Sequence, residues 1–398
     1  MTTLTERLRT TRIVDADSHI NEPADIWTSR LPKKFLDIAP RVERAPDTQH
    51  SHWRIGDHWL WPVGHNAQAG WNEYPPSTPW EYEDCDPATY EARDRLTRLD
   101  EYGLASQVLY PNIVGFYAGH MLAQGPEFAE LCVKAYNDFS LEWASADSKR
   151  LIPIAMLPFW DLDASRREIR RCADMGFKGL LFANKMERAG LPTHTDSHWD
   201  PIYNDAQELG LAINFHIGFA DSWIEGDLSA DSVAQRRKAA ESWRPQSVLK
   251  SSSNAMMQTD LIGSLLLSGL CERFPRLKFV SVETGFGQMP FYLEALDWHW
   301  KSKGNTSLPL LPSEYFKRQC YCTFWFDRVS LPLLAAYPDN FMFSTDYPHP
   351  ISLAPGPCSG TQLLPRDWIA DAFADIDWDL TYKAISGNAA KVYGLDES

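Results

Sequence analysis

The chain of 398 residues is predicted to be an α/β protein, a (β/α)8 barrel with loops lengthened on one face. Three observations carry this. Eight short apolar runs recur, each followed by a loop rich in Pro, Gly or Asp and then by an amphipathic stretch. The first run is followed by HINEP, which cannot form the glycine-rich phosphate loop usual after the first strand of the competing doubly wound sheet. Finally, the connections 23–87 and 219–257 exceed ordinary loop lengths. In a barrel both would rise from the C-terminal face, where active sites form, and build a lid within a single domain spanning 1–398.

The elements follow in order. RIVDADSH (12–19) is the first strand, and the charged amphipathic stretch 88–102 the first barrel helix. ASQVLYP (105–111) is the second strand, with a long helix over 126–148. LIPIAMLP (151–158) is the third, and DASRREIRRCADMG its helix, closed by Gly176. FKGLLFA (177–183) is the fourth strand, followed by the helix PIYNDAQELG. LAINFHIG (211–218) is the fifth, with a helix over 258–274, and LKFVSVET (277–284) is the sixth, with QMPFYLEALDWHW. QCYCTF (319–324) is the seventh, with RVSLPLLAAY, and NFMFSTDYPHP (340–350) the eighth, with a closing helix over 379–393. Inside the first long connection, HWRIGDHWLWPVG alternates around Gly56-Asp57, as a hairpin does.

Fifty-three acidic against 38 basic side chains leave a charge of −15, which argues against nucleic acid or an anionic membrane surface as partner. LIGSLLLSGL is too short to span a bilayer. The seven cysteines are scattered without a CxxC pair and read as reduced thiols. MTTLTERLRTTR has no apolar signal segment, so the expected location is the cytoplasm. No nucleotide-binding or serine-nucleophile motif stands in a suitable context.

Chemistry-bearing side chains gather at the ends of four strands: Asp17 and His19 on the first, Asn214 and His216 on the fifth, Glu283 on the sixth and Asp346 on the eighth. Period-two alternation puts each two-apart pair on one face. Each residue alone has a plainer reading: a loop cap for Asp17-x-His19, a satisfied histidine for His216, a helix start for Glu283, a turn for Asp346. Jointly, imidazoles and carboxylates converging at the barrel rim form a site for a divalent transition metal, Zn, Fe or Mn.

DADSHINEP, INFHIG, FVSVETGFGQMPFYLEALD and MFSTDYPHP together resemble the amidohydrolase superfamily, in its branch of aminocarboxymuconate-semialdehyde decarboxylase-like proteins. The likeness runs from the first strand to the eighth and omits the two long connections. It implies that Asp17, His19, His216 and Asp346 are metal ligands, with Asp346 also a proton acceptor, and that the chain is a homodimer. Decarboxylases of that branch usually carry His where Glu283 stands. Lys178 lies early in its strand rather than at its end, which argues against a carbamylated lysine bridge. Glu283 is then either a further ligand, completing a two-metal site with Asn214 or Glu22 as a weak extra group, or the acid/base beside a single ion.

The leading expectation is hydrolysis of an amide, ester or thioester by a metal-activated water, with Asp346 and Glu283 moving the proton. The alternative is non-oxidative decarboxylation of an aromatic or unsaturated carboxylic acid, against which the missing strand-six His counts. A binding or scaffold protein is the third reading. His349 either contacts substrate, orients Asp346 or is a loop residue. The histidines at 50, 52, 58 and 65 read as surface or lid, and His194 and His198 as substrate loop or surface. Of 16 tryptophans, Trp27, Trp53, Trp59, Trp61, Trp71 and Trp80 lie in the first long connection, and Trp160, Trp199, Trp223, Trp243 and Trp325 in other loops. They are expected to wall a pocket for a bulky apolar or aromatic small molecule, with Asn214, Glu22, Trp160 and Trp223 as its contacts.

Overall fold

The computed structural model describes residues 3–46, 48–74, 77–219, 244–304 and 307–396. Twelve strands are present among them. β1 is Val14–His19, β2 Arg41–Arg44, β3 Ser51–Ile55, β4 His58–Pro62, β5 Ser106–Tyr110 and β6 Leu151–Pro153. β7 is Ala155–Met156, β8 Gly179–Leu181, β9 Ala212–His216, β10 Phe279–Val282, β11 Cys320–Phe324 and β12 Phe341–Phe343. All except β2, β3 and β4 belong to one parallel α/β array, buried on both faces, which is why the runs read as continuously apolar.

The array runs β1-β5-β6 and β7-β8-β9-β10-β11-β12. β6 and β7 are one predicted strand interrupted at Ile154, whose N–H still reaches the Leu109 carbonyl at 3.1 Å. At the seam between first and last strands the link lies just beyond β12. Ser18 bridges Tyr347 in parallel, His19 N–H donates to Tyr347 O (2.7 Å) and Asp346 N–H to Asp17 O (3.0 Å). The fold is thus the expected (β/α)8 type, and its seam runs through three of the residues singled out for chemistry.

Gly179 is fixed by close approach. A Cβ there would stand 2.7 Å from Asn214 Nδ2 and 2.9 Å from Ile154 Cδ1, so only glycine lets Asn214 cross from β9. Gly176 ends the helix Leu162–Met175 at φ 97°, as its position in the sequence predicts. RVSLPLLAAY winds as a 3-10 helix (Arg328–Ala336), since Pro332 has no N–H to give to an α-helical ladder. The helix expected over 258–274 begins earlier, at Arg244, and breaks at Gly269 (φ 78°) before Leu270–Arg273. Several helices escape the periodicity reading, among them Leu4–Thr10, started by a Thr3/Glu6 capping box, Pro312–Gln319 and Pro365–Ala372.

The first long connection contains the antiparallel sheet β2-β3-β4, turning at Gly56-Asp57. Trp27 anchors it: the ring is fully buried, edge-on to Trp53 (5.5 Å), and its N–H donates to Cys132 O (3.0 Å). Residues 220–243 of the second connection lie outside the described residues. Among the described residues, no helix is long and apolar enough to cross a membrane.

Candidate active site

The side chains at the strand ends converge. His19 Nδ1 lies 3.3 Å from Pro111 O and His216 Nδ1 lies 2.7 Å from Ile217 O. A carbonyl only accepts, so each Nδ1 carries the hydrogen, and both Nε2 atoms turn toward one point, 3.0 Å apart. Around that point, Asp17 Oδ1 lies 3.7 Å from His19 Nε2 and 3.6 Å from His216 Nε2. Asp346 Oδ1 stands 3.7 Å from His19 Nε2, and Glu283 Oε2 3.6 Å from His216 Nε2. All five are buried. Neither carboxylate oxygen of Asp17, nor Asp346 Oδ2, has a hydrogen-bond partner among the described residues. Buried carboxylates without donors, facing two imidazole nitrogens whose far sides are pinned to carbonyls, form the donor set of a divalent cation.

The electrostatics agree. Burial, with Asp17 and Asp15, drives the Asp346 carboxyl well above its usual range; burial, with Asp346 and Asp17, does the same to Glu283. Burial alone would lower His216, but Asp17 and Glu283 outweigh it and raise it to about 9. Positive charge is what this cluster lacks, and a divalent ion would supply it. Asp346 and Glu283 also hold positive φ, 56° and 59°, the strained left-handed region that collects at functional sites.

A second layer aims these groups. His349 stacks on His19 at 3.9 Å and places Nδ1 2.8 Å from Asp346 Oδ1. Its Nε2 faces Asn112 Oδ1 at 2.9 Å; the Asn112 amide nitrogen already donates to Ile20 O, so Oδ1 accepts and His349 Nε2 donates. Of the readings open for His349, orientation of Asp346 fits this geometry. Asp15 clamps the seam: its carboxylate accepts from Asp17 N, Thr345 N, Thr345 Oγ1 and Gln107 Nε2, fixing the backbone beside both Asp17 and Asp346. Arg95 donates to His19 O at 2.7 Å. Asp15, Arg95 and Asn112 were not legible as site residues. The one signal was the second acid in the DAD of β1, an expensive residue inside a buried strand.

Other expected residues take different places. Asn214 is not free to meet substrate. Its Oδ1 accepts from the Tyr110 and Tyr393 hydroxyls (3.0 and 2.8 Å), and its Nδ2 donates to Leu180 O and Ala212 O, so it ties the barrel interior together below His216. Glu22 is fully buried, with Oε1 accepting the N–H groups of Asn112 and Ile113 at 2.8 and 2.9 Å; it holds the loop that presents Asn112 to His349. Trp160 is half-buried, edge-on to Phe159 at 5.2 Å, and Trp223 lies outside the described residues. Trp27, Trp53, Trp199 and Trp325 are buried, so these four belong to core packing rather than to a pocket wall. Lys178 is exposed. Phe116, missed in the sequence, stands 6.2 Å from the His19 and His349 rings and 6.0 Å from His216, an apolar cover on the cluster.

Glu22 has a consequence for stability. Burial raises its carboxyl to about 7 despite the two N–H donors, and Oε2 has no partner. A folded-state value above the unfolded one gives stability that is complete below the unfolded value and lost as pH rises through about 7. Glu22→Gln keeps the acceptor and removes the ionisation. It should leave stability at pH 4 nearly unchanged and raise it at pH 8 by up to about 3 kcal/mol. Urea unfolding at the two pH values checks this, and an equal change at both would place the effect elsewhere.

Residues 47–395 match the family model described as amidohydrolase. A γ-resorcylate decarboxylase of Rhizobium radiobacter is 23% identical over 274 residues, 64% of this chain and 76% of that protein. An amidohydrolase of Mycobacterium avium subsp. paratuberculosis K-10 superposes with a TM-score of 0.71 at 20% identity, covering 97% of this chain and 100% of that one. A dihydroxybenzoic acid decarboxylase of Polaromonas sp. JS666, solved with manganese and 2-nitroresorcinol, gives 0.59 at 18%, covering 98% of each. These relatives overturn the expectation of hydrolysis: those with a stated reaction are decarboxylases, and Glu in place of the strand-six His does not outweigh that.

Proposed function

Because this chain belongs to the amidohydrolase family, we propose that it is a divalent-metal-dependent, non-oxidative decarboxylase of an aromatic carboxylic acid. The observation that carries the reading is the convergence of the Nε2 atoms of His19 and His216 and the undonated carboxylates of Asp17 and Asp346 on one buried point. The names of the relatives supply the substrate class, and the manganese in the Polaromonas enzyme agrees with an oxygen-and-imidazole donor set.

Asp17, His19, His216 and Asp346 would hold the cation, whose charge, when bound, anchors the substrate carboxylate with an adjacent hydroxyl and offsets negative charge developing on the ring. Glu283 is the group placed to carry the proton: burial holds its carboxyl well above the usual range, with Asp346 and Asp17 adding to this and His216 opposing it. As the bond between ring and carboxylate breaks, its electron pair stays on the ring carbon, Glu283 delivers its proton there and CO2 leaves; water then returns a proton to Glu283. His349, held by Asn112, fixes Asp346 through Oδ1, the oxygen that also stands 3.7 Å from His19 Nε2. Phe116 keeps bulk water from the ring carbon.

The test is CO2 release from γ-resorcylate, other dihydroxybenzoates and 5-carboxyvanillate, read with metal content per chain. The expected result is one CO2 per phenol formed, loss on chelation and recovery with Mn2+. Metal-loaded protein that releases no CO2 from any of them, or that instead cleaves esters or thioesters, would overturn the reading.

A further inference from the structure

The loop after β5 places an apolar ring over the cluster. Asn112 and Phe116 stand one helical turn apart at the short helix Ile113–Phe116, joined by the bond from Phe116 N–H to Asn112 O (2.8 Å). The buried Glu22 carboxylate accepts the N–H groups of Asn112 and Ile113, so this turn is fixed at its start. Both side chains reach the histidines from it. Asn112 meets His349, and the Phe116 ring stands 6.2 Å from the His19 and His349 rings and 6.0 Å from that of His216.

The turn after β9 locks the ring in place. A Cβ on Gly218 would lie 3.0 Å from Phe116 Cε1, and a Cβ on Gly115 would lie 3.2 Å from Phe219 Cδ2. Two Gly-Phe pairs thus interlock, each glycine receiving the ring of the other pair. Phe219 is buried and Phe116 half-buried, so Phe116 is the one with surface to offer a ligand. The Nε2 atoms of His19 and His216 face the cation point 3.0 Å apart, and Phe116 is nearly equidistant from the two imidazoles. Tyr110, also near both, is fully buried and spends its hydroxyl on Asn214 and Tyr393 inside the barrel. The ring of an acid whose carboxylate sits at the cation point therefore extends toward the loops, where Phe116 stands. Because that side chain is held from both loops, contact with it costs little ordering entropy.

We propose that Phe116 is a specificity-determining residue: its ring packs on the ring of the bound acid and so selects planar aromatic carboxylates over saturated ones carrying the same functional groups. The metal ligands hold a carboxylate of either kind, and the discrimination comes from a loop side chain that touches none of the ion's charge. The inference rests on the decarboxylase reading for its substrate class, but its test does not need turnover.

The experiment measures Kd by calorimetry for salicylate and for 2-hydroxycyclohexanecarboxylate on Mn2+-loaded protein. Both present a carboxylate with an adjacent hydroxyl. Phenol and alcohol differ as metal ligands, but equally so in every variant, so the readout is the change in preference. Phe116→Leu, of similar bulk but without an aromatic face, should shrink the preference for salicylate by about three- to tenfold at unchanged Mn2+ content. Phe116→Tyr, which keeps the face, should stay within about twofold of wild type. A preference unchanged in Phe116→Leu, an equal weakening of both ligands, or a loss in Phe116→Tyr as large as in Phe116→Leu overturns the proposal. A second measurement does not depend on the Leu variant folding. With 4-fluorophenylalanine placed at 116, the ring current of bound salicylate should shift the fluorine resonance upfield and the saturated acid should not; the same response to both overturns the proposal. Protein that shows the predicted binding pattern without releasing CO2 leaves the role of Phe116 standing and removes the decarboxylase reading; CO2 release with an unaltered preference does the reverse.

Discussion

Asp346→Asn should lower turnover at least a thousandfold and leave the chain folded. The fold survives because Asn tolerates the left-handed φ of 56° at this position better than other uncharged residues of its size. Its amide can also donate to His349 Nδ1, 2.8 Å from the present oxygen. The backbone tie from residue 346 to Asp17 O is untouched. What is lost is a negative oxygen aimed at the cation site, hence metal affinity, and the partner that His349 orients; effects of about 10² to 10⁴ are usual for a single proton-handling group, and loss of a ligand adds to that. Stability should move the other way. Asp17, Asp346 and Glu283 are buried together, and burial and mutual repulsion both raise the Asp346 carboxyl. Removing one of the three should raise the melting temperature in chelator by a few degrees, whereas Mn2+ should stabilise wild type far more than the variant. Turnover within tenfold of wild type would remove Asp346 from the site. A drop in melting temperature under chelator would show that its carboxylate is structurally paired rather than waiting for a cation.

The same geometry explains which parts were readable from the sequence. Asp17, His19, His216, Glu283 and Asp346 were visible because each ends a short apolar run, and strand alternation dictates the side on which the last residues lie. The barrel class was visible for the same reason. Asn214 shows the limit of that logic. It shares a face with His216 two residues on, but one step deeper the barrel is narrow enough for the Tyr110 and Tyr393 hydroxyls to consume its carbonyl oxygen. Depth within a barrel leaves no mark on period two. The second layer was invisible because it is made across the seam: Asp15 reaches Thr345 over 330 positions, and His349 reaches Asn112 over 237. The tryptophans misled for a related reason. An indole in a long connection can serve as that connection's own core, as Trp27 does against Trp53, and composition does not distinguish this from a pocket wall. The choice of reaction was not legible either, since the donor set that polarises a scissile carbonyl also anchors a carboxylate.

Glu283 is where the reaction should be decided. Glu283→Gln preserves shape, and the Thr323 hydroxyl that accepts the backbone N–H of residue 283 (2.8 Å) would keep the loop in place. The variant should therefore bind Mn2+ and 2,6-dihydroxybenzoate within a fewfold of wild type, yet release CO2 about 10² to 10⁴ times more slowly, because an amide has no proton to give at this pH. Delivery of the proton then depends on water, so the solvent deuterium isotope effect on turnover should grow. Glu283→His tests the same point from the other side. An imidazole can carry a proton from the same strand end, and it stands at the position that decarboxylases of the branch usually fill with His, so it should recover part of the activity that Gln loses. A purely structural Glu283 would behave otherwise. The Gln variant, closest in shape, would be nearly normal, and the bulkier, differently shaped His variant the worse of the two. If instead Gln lowers metal content and CO2 release in parallel, Glu283 is a ligand, the two-metal arrangement replaces the single-ion one, and the proton must come from another group, for which Asp346, buried beside His19 and with its carboxyl driven well above the usual range by burial, is the candidate.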